Sequence, residues 1–206
     1  MDKSYKNIRY IVGVDEVGRG PLAGPVAVCA FMIKDDIFLK NQKDNKLPKL
    51  KDSKKLSKKQ REVWFEYLRV AKTSSFCDYS ISFVSPENID KFGIAKCIQK
   101  ALNKSLAKII SHEHESYFIY LDGGLHAPSE YIHQETIIKG DELHPVISMA
   151  SIMAKVSRDR VMTDFAKQYP EYGFDKHSGY GTKSHYEEIK KHGQTPIHRK
   201  SFIHEK

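Results

Sequence analysis

Residues 11–28 read IVGVDEVGRGPLAGPVAV, and this stretch decides the fold. An apolar run leads into two adjacent acids, Asp15 and Glu16. Gly18-Arg19-Gly20 and two prolines follow, and a second apolar run begins at Val26. The order predicts a strand over Tyr10–Val14, a tight glycine-bearing turn, and a returning strand over Val26–Ile33. Both strands are nearly continuously apolar, as in a sheet covered on both faces. The two acids fall where the first strand hands over to the turn. Like charges side by side at the end of a buried strand are unfavourable unless a cation or a basic group offsets them, which points to a metal. The turn adds backbone amides and one arginine, which suit a phosphate.

Around this stretch the chain has the length of one α/β domain, 206 residues, enough to bury a real core. The formal net charge is +8. Such a balance favours a polyanionic partner or serves plain solubility. Three cysteines, Cys29, Cys77 and Cys97, are widely spaced with no C-x-x-C, which argues against a disulfide scaffold or a zinc site. They read as buried or idle thiols in a reducing compartment. No apolar run is long enough to span a membrane and the N-terminus lacks a signal core, so the expectation is a cytoplasmic protein.

Residues 1–7 are polar and expected to fray. Residues 35–59 are lysine-rich and read mostly as a solvated loop. Within that loop, Asp52-Ser53-Lys54-Lys55-Leu56-Ser57 precedes a helix, with Ser57 and Gln60 matching a capping box. Phe76–Val84 reads as a strand. Ser85-Pro86 opens a short helical piece, and Ile94–Ile110 carries an apolar stripe at helical spacing. His112 and His114 read as surface. Tyr117–Leu121 is a strand ending in Asp122-Gly123-Gly124, which on its own would be a turn. Thr136–Lys139 is another apolar stretch, ending in Gly140-Asp141-Glu142, with Asp141 the better candidate. A long helix is predicted over Pro145–Tyr169, rich in small residues in its first half. Asp159 within it reads as an ion-pair partner. Thr182 caps a last helix that stops at Gly193.

Asp15, Glu16, Asp122 and Asp141 all lie at predicted strand ends. If they meet, the site is oxygen-only and selects Mg²⁺ or Mn²⁺ over zinc. Paired hard cations support in-line phosphodiester hydrolysis. The glycines beside Arg19 would let backbone approach a sugar closely and read a 2′-hydroxyl. Tyr180, between glycines, could stack on a sugar or base, or simply anchor the loop.

The ordered set VDEVGRGPLAGPV, DSKKLS, DGG, KGD, SIMAKVSRDR and GYGTKSH…TPIHRKSF closely resembles the ribonuclease HII family, from about Ile11 to Phe202. The resemblance implies an α/β, ribonuclease H-like fold: a central mixed β-sheet flanked by α-helices with a C-terminal helical extension. It implies a single domain over 1–206, with a core of about 9–170 and a substrate-contacting segment of about 171–206. The activity implied is metal-dependent endonucleolytic cleavage of RNA in RNA–DNA hybrids, and nicking of duplex DNA at the 5′ side of a single embedded ribonucleotide. The ends would be 5′-phosphate and 3′-hydroxyl. The roles implied are ribonucleotide removal from DNA and RNA primer removal. Asp15, Glu16, Asp122 and Asp141 match the family's metal-binding and catalytic acids, served by two Mn²⁺ or Mg²⁺ ions. Gly18, Arg19 and Gly20 match the sensor of the 2′-hydroxyl. Ser53, Lys54 and Lys55 match a phosphate-holding loop, and Tyr180 the tyrosine that stacks on the following deoxyribose.

Two features depart from the family pattern: the long lysine-rich segment before DSKKLS, and the 126–135 loop, HAPSEYIHQE. The sister family, ribonuclease HIII, usually carries an extra N-terminal domain and lacks the arginine within the glycine pair. The short lead before Tyr10, together with Arg19, speaks against it. A non-catalytic hybrid-binding protein on the same fold would have the same basic loops but no reason to keep four acids facing a phosphate backbone. Monomer is the default state. A sliding clamp is an open partner, with no obvious clamp-binding motif in the tail.

Overall fold

The computed structural model describes residues 8–34, 47–50, 53–110 and 116–204. The expectations for 1–7, 35–46, Asp52, the side chain of Lys54, His112 and His114 lie outside the described residues. Strands β1 (Tyr10–Val17) and β2 (Val26–Lys34) pair antiparallel, from Tyr10↔Lys34 to Val17↔Ala27. Strand β3 (Cys77–Val84) adds antiparallel to β2. Strand β4 (Tyr117–Asp122) lies parallel to β1, and the short β5 (Gln134–Ile137) parallel to β4. The five-stranded sheet thus has the order β3-β2-β1-β4-β5.

The first strand runs three residues beyond its apolar pattern. The parallel ladder with β4 ends at Val14↔Leu121, but the antiparallel ladder with β2 continues through Asp15↔Cys29 and Glu16↔Val28. Asp15 and Glu16 therefore lie within the strand, held by one neighbour only. The expected tight turn is instead an eight-residue connection, 18–25, fastened by contacts from distant parts of the chain.

Helices cover both faces. Helix α1 (Lys58–Thr73) begins at Ser57, whose hydroxyl and Gln60 form the reciprocal capping box that the sequence predicted. Helices α2 (Pro86–Phe92) and α3 (Ile94–Ile109) follow β3. The α3 stripe of Cys97, Ile98, Ala101, Leu102 and Leu106 packs with Val12, Val14 and Val28 in one core. Val63, at helical spacing with the α1 core residues, stays exposed, whereas Trp64 and Leu68 are buried. On the opposite face lie α1, the short α4 (Gly140–Leu143) and the long α5 (Pro145–Gln168). The first half of α5 is buried all round, so it has no polar face to orient it.

What sets the position of α5 is Gly13. A Cβ there would stand 2.4 Å from the carbonyl carbon and oxygen of Val146. The missing side chain lets the start of α5 rest directly on the central strand, two residues before Asp15. A third, smaller core, with Ala23, Met162, Tyr172, Phe174 and Ile197, joins the chain after α5 to the 18–25 connection. This region holds α6 (Phe174–His177) and α7 (Lys183–His192), the latter capped by Thr182 and stopped at Gly193 as predicted.

Gly13→Ala is expected to destabilise the fold by about 1–3 kcal/mol, the usual range for overpacking against backbone. Urea unfolding of the purified variant checks this, and a wild-type midpoint would contradict the close approach.

Candidate active site

The site forms at the end of the sheet where β1 and β4 finish. Asp15 is almost fully buried, and its carboxylate oxygen Oδ1 accepts the Glu16 amide at 2.7 Å. Burial lifts the Asp15 carboxyl well above the usual carboxylate range. A hydrogen bond from Ser151 opposes the rise, while the charges of Asp122 and Glu16 add to it. Burial also raises Glu16, against the pull of Arg19, with Asp122 again pushing upward. The Arg19–Glu16 pair is loose, 3.6 Å, and the guanidinium is mostly exposed. On β4, Oδ1 of Asp122 accepts the Gly140 amide at 2.6 Å. That bond brings α4, with buried Asp141 next to Gly140, against the end of β4. Lys139 enters α4 in the left-handed region, a strain of about 1–2 kcal/mol that the Asp122–Gly140 bond helps to hold.

Asp15, Glu16 and Asp122 thus share one electrostatic neighbourhood, with Asp141 attached through its neighbour. Among the described residues, no three His, Cys, Asp or Glu side chains are drawn in tightly enough to form a finished ligand cage. The donor chemistry still fits a hard divalent cation: the atoms are all carboxylate oxygens, Asp15 is desolvated, and among the described residues no basic side chain offsets its charge.

The other candidates surround these acids. The 3₁₀ turn Ser53–Lys55 docks beside them. Ser53 is buried, and its Oγ lies 2.8 Å from Oγ of Ser151, the same hydroxyl that serves Asp15. Lys55 Nζ pairs with Glu142 of α4 at 2.5 Å. This turn is therefore tied to both helices that border the acids. Arg61 fastens it by donating to the carbonyls of Ser53 and Leu56.

The Gly18-Arg19-Gly20 segment is held from below by two buried arginines. Arg158 of α5 donates to the carbonyls of Pro25, Ala23 and Ser178. Arg199 donates to those of Gly24, Arg19 and Gly18. Gly18 has φ 88°, and a Cβ there would strike the Arg158 side chain at 2.2 Å, so only glycine fits. Gly20, in contrast, has open space. The tail adds backbone bonds: Arg199 N–H to the Leu22 carbonyl and Gly24 N–H to the Ile197 carbonyl. The Gly179 carbonyl accepts the amides of Leu22 and Ala23, which sets Tyr180, 44 % exposed, beside the same segment.

Sequence reading missed several of these residues. Ser151 looked like one more small residue on a packing helix. Arg158 drew notice only as one of two arginines flanking Asp159, whose ion pair is with Lys155. Arg199 sat in a basic tail. A buried arginine has no sequence signal of its own, because the carbonyls it binds come from distant residues.

Comparison with known proteins places the chain among relatives. The family model described as ribonuclease HII matches residues 12–205. Ribonuclease HII of Endomicrobium trichonymphae is 41% identical over 204 residues, covering 98% of this chain and 90% of the relative. Ribonuclease HII of Clostridioides difficile is 42% identical over 202 residues, covering 98% and 72%. The solved ribonuclease HII of Archaeoglobus fulgidus, in complex with PCNA, superposes with a TM-score of 0.71 at 28% identity, covering 95% of this chain and 96% of that one.

The raised Asp15 carboxyl gives a stability prediction. Folding favours its protonated form, so the associated stability is present below the unfolded value near 3.8 and is lost as pH rises through the folded value. Without divalent cation, Asp15→Asn is expected to raise the thermal midpoint at pH 8, by about 2–4 °C per kcal/mol relieved in a chain of this size. The gain should shrink at pH 4. Calorimetry that finds a lower midpoint at pH 8 contradicts the burial argument.

Proposed function

The chain belongs to the ribonuclease HII family, and from that premise we propose that its site cleaves RNA in RNA–DNA hybrids and nicks duplex DNA on the 5′ side of a single ribonucleotide. The observation that supports this reading is the carboxylate-only neighbourhood of Asp15, Glu16 and Asp122 beside the Gly18–Gly20 backbone, whose carbonyls Arg199 holds. Enzymes of the ribonuclease H group depend on divalent metal. In this chain Asp15, Glu16, Asp122 and Asp141 would hold it, as a pair of Mg²⁺ or Mn²⁺ ions. Bound there, such ions supply Lewis-acid stabilisation of the phosphodiester oxygens and lower the pKa of water.

The chain's own residues do the positioning. Asp15 lies in the strand paired with β2 alone, and its carboxylate is oriented by the Glu16 amide and the Ser151 hydroxyl. Asp122 is oriented by the Gly140 amide. A water oxygen attacks phosphorus in line, the bond from phosphorus to the 3′-oxygen breaks, and the products carry 5′-phosphate and 3′-hydroxyl. The Gly18–Gly20 backbone reads the 2′-hydroxyl on the residue 5′ of the junction. Arg19 is free on its exposed side to meet a phosphate. Tyr180 stacks on the following deoxyribose, and Lys54 and Lys55 meet the backbone further along. Ser53 acts through its amide or its bond to Ser151, since its hydroxyl is buried.

In this reading residues 1–206 work as one domain, with about 171–206 as the substrate-contacting segment. The protein acts as a monomer in ribonucleotide and primer removal. A sliding clamp is carried over from the Archaeoglobus relative as a proposed partner. Among the described residues no helix is long and apolar enough to cross a membrane.

A DNA duplex with one embedded ribonucleotide should be nicked beside it with Mg²⁺ or Mn²⁺, and not with chelator. An all-DNA duplex should stay intact. Asp122→Asn should lower cleavage at least a thousandfold while circular dichroism shows a native fold. Near-normal turnover by that variant would remove the carboxylate assignment, and cleavage of all-DNA duplex would remove the 2′-hydroxyl reading.

A further inference from the structure

Beneath Tyr180 lies a cluster of aromatic and imidazole rings that the proposed chemistry does not use. His185 of α7 and His198 of the tail are both buried, with Nε2 atoms 3.0 Å apart. The outer nitrogen of each ring meets a backbone group of fixed polarity. Nδ1 of His198 lies 2.9 Å from the Thr195 amide nitrogen, which can only donate, and equally close to the Thr195 hydroxyl, which can donate to the same nitrogen. Nδ1 of His185 lies 2.9 Å from the Tyr180 carbonyl oxygen, which can only accept.

These two ends fix every proton between them. His198 accepts at Nδ1, so its proton is on Nε2. That proton is donated to Nε2 of His185, so the proton of His185 is on Nδ1 and is donated to Tyr180. We propose that this directional pair of neutral histidines, His198 to His185, is a positioning device that fixes the main chain of Tyr180 for its contact with nucleic acid. The proposal rests on the reading of Tyr180 given above.

The surroundings reinforce the arrangement. His177 of α6 accepts the Gly179 amide at Nδ1 and bonds the Tyr172 carbonyl through Nε2. It stacks on His185 with centroids 4.6 Å apart, and Phe174 sets its edge against both rings. The Tyr180 carbonyl also accepts the Thr182 amide at 2.8 Å, so the loop is held from two sides. Ser178, just before it, is in the left-handed region, a strain that such bonds offset.

A second proton on either ring would set two N–H groups against each other, at Thr195 or between the rings. Charged groups around the pair do not favour one. From α5, Arg158 donates to the Ser178 carbonyl, while Asp159 takes the Ser178 hydroxyl. From the tail, Arg199 follows His198 directly, and from α7, His192 is paired with Glu188. Tyr172 lies edge-on to His198. Among the described residues neither imidazole of the pair has a carboxylate partner. Burial, then the neighbouring imidazole, pushes His198 down to about 4, and burial also lowers His185. With both folded values below the unfolded one, the relay is complete above about pH 6.5 and is lost as pH falls through the folded values.

The direct test is ¹⁵N correlation spectroscopy of the imidazole rings in the full-length protein. The expected spectrum shows His185 protonated at Nδ1 and His198 at Nε2, unchanged between pH 7.5 and 6. The opposite tautomers, or a charged ring at pH 7, overturn the proposal whatever Tyr180 does. A functional arm uses the one-ribonucleotide duplex. His185→Phe keeps the ring but loses the bond, and should raise KM about tenfold with little change in kcat. His185→Asn, which keeps a donor near the Nδ1 position, should recover much of the loss. If Tyr180→Ala raises KM while neither His185 variant does, the positioning role is refuted. If Tyr180→Ala leaves KM unchanged, the reading of Tyr180 itself fails, and the functional half of the proposal fails with it.

Discussion

Two buried guanidinium groups hold the loop between the first two strands by its carbonyls, and the rest of the site depends on that grip. Among the described residues, Arg158 and Arg199 have no carboxylate in their hydrogen-bond sets; their partners are backbone oxygens of residues 18–25 and Ser178. Removing a cation from water costs several kcal/mol, and each bond from a charged donor returns about 1.5–3 kcal/mol. Three well-formed bonds per arginine are enough to offset the cost. Burial and the nearness of Arg158 push Arg199 down to about 9, which still leaves it charged at neutral pH. The grip joins three distant parts of the chain: β1, the long helix α5 and the tail.

This arrangement separates charge within a small volume. Carboxylates gather at the ends of β1 and β4, and cations lie beneath and beside the neighbouring loop. In the proposed reading, a phosphodiester placed across the boundary would meet a metal held by these acids at its reacting phosphorus and positive groups along its flanks. The two halves are linked by geometry as well as charge. Gly13 lets α5 rest on β1, α5 carries Ser151 to Asp15, and the same helix carries Arg158 to the loop. The Ser53–Ser151 contact brings the lysine-bearing turn onto that helix too. A displacement of α5 would therefore disturb acids, loop and turn together.

Much of this was legible in the sequence. The Ser57–Gln60 box, the Ser85 and Thr182 caps, the Gly193 stop and the apolar stripe of α3 follow from local chemistry, and they appear where it puts them. The four acids stood out because acids beside glycine at strand ends recur three times along the chain. The strand carrying Asp15 proved longer than its apolar run, because pairing with β2, a non-local fact, continued it. Buried polar residues were the least legible. Ser151, Arg158, His185, His198 and Arg199 owe their roles to partners up to 181 residues away, as with Arg199 and the Gly18 carbonyl. Composition treats such residues as surface.

The account turns on the acids at the sheet end forming a centre for divalent metal. Anomalous scattering from a crystal of the protein grown with millimolar Mn²⁺ tests this most directly. The account predicts manganese bounded by carboxylate oxygens of Asp15, Glu16, Asp122 and Asp141, and no such peak in a crystal of the Asp122→Asn variant. Manganese bound elsewhere, with those four carboxylates uncoordinated, would contradict it.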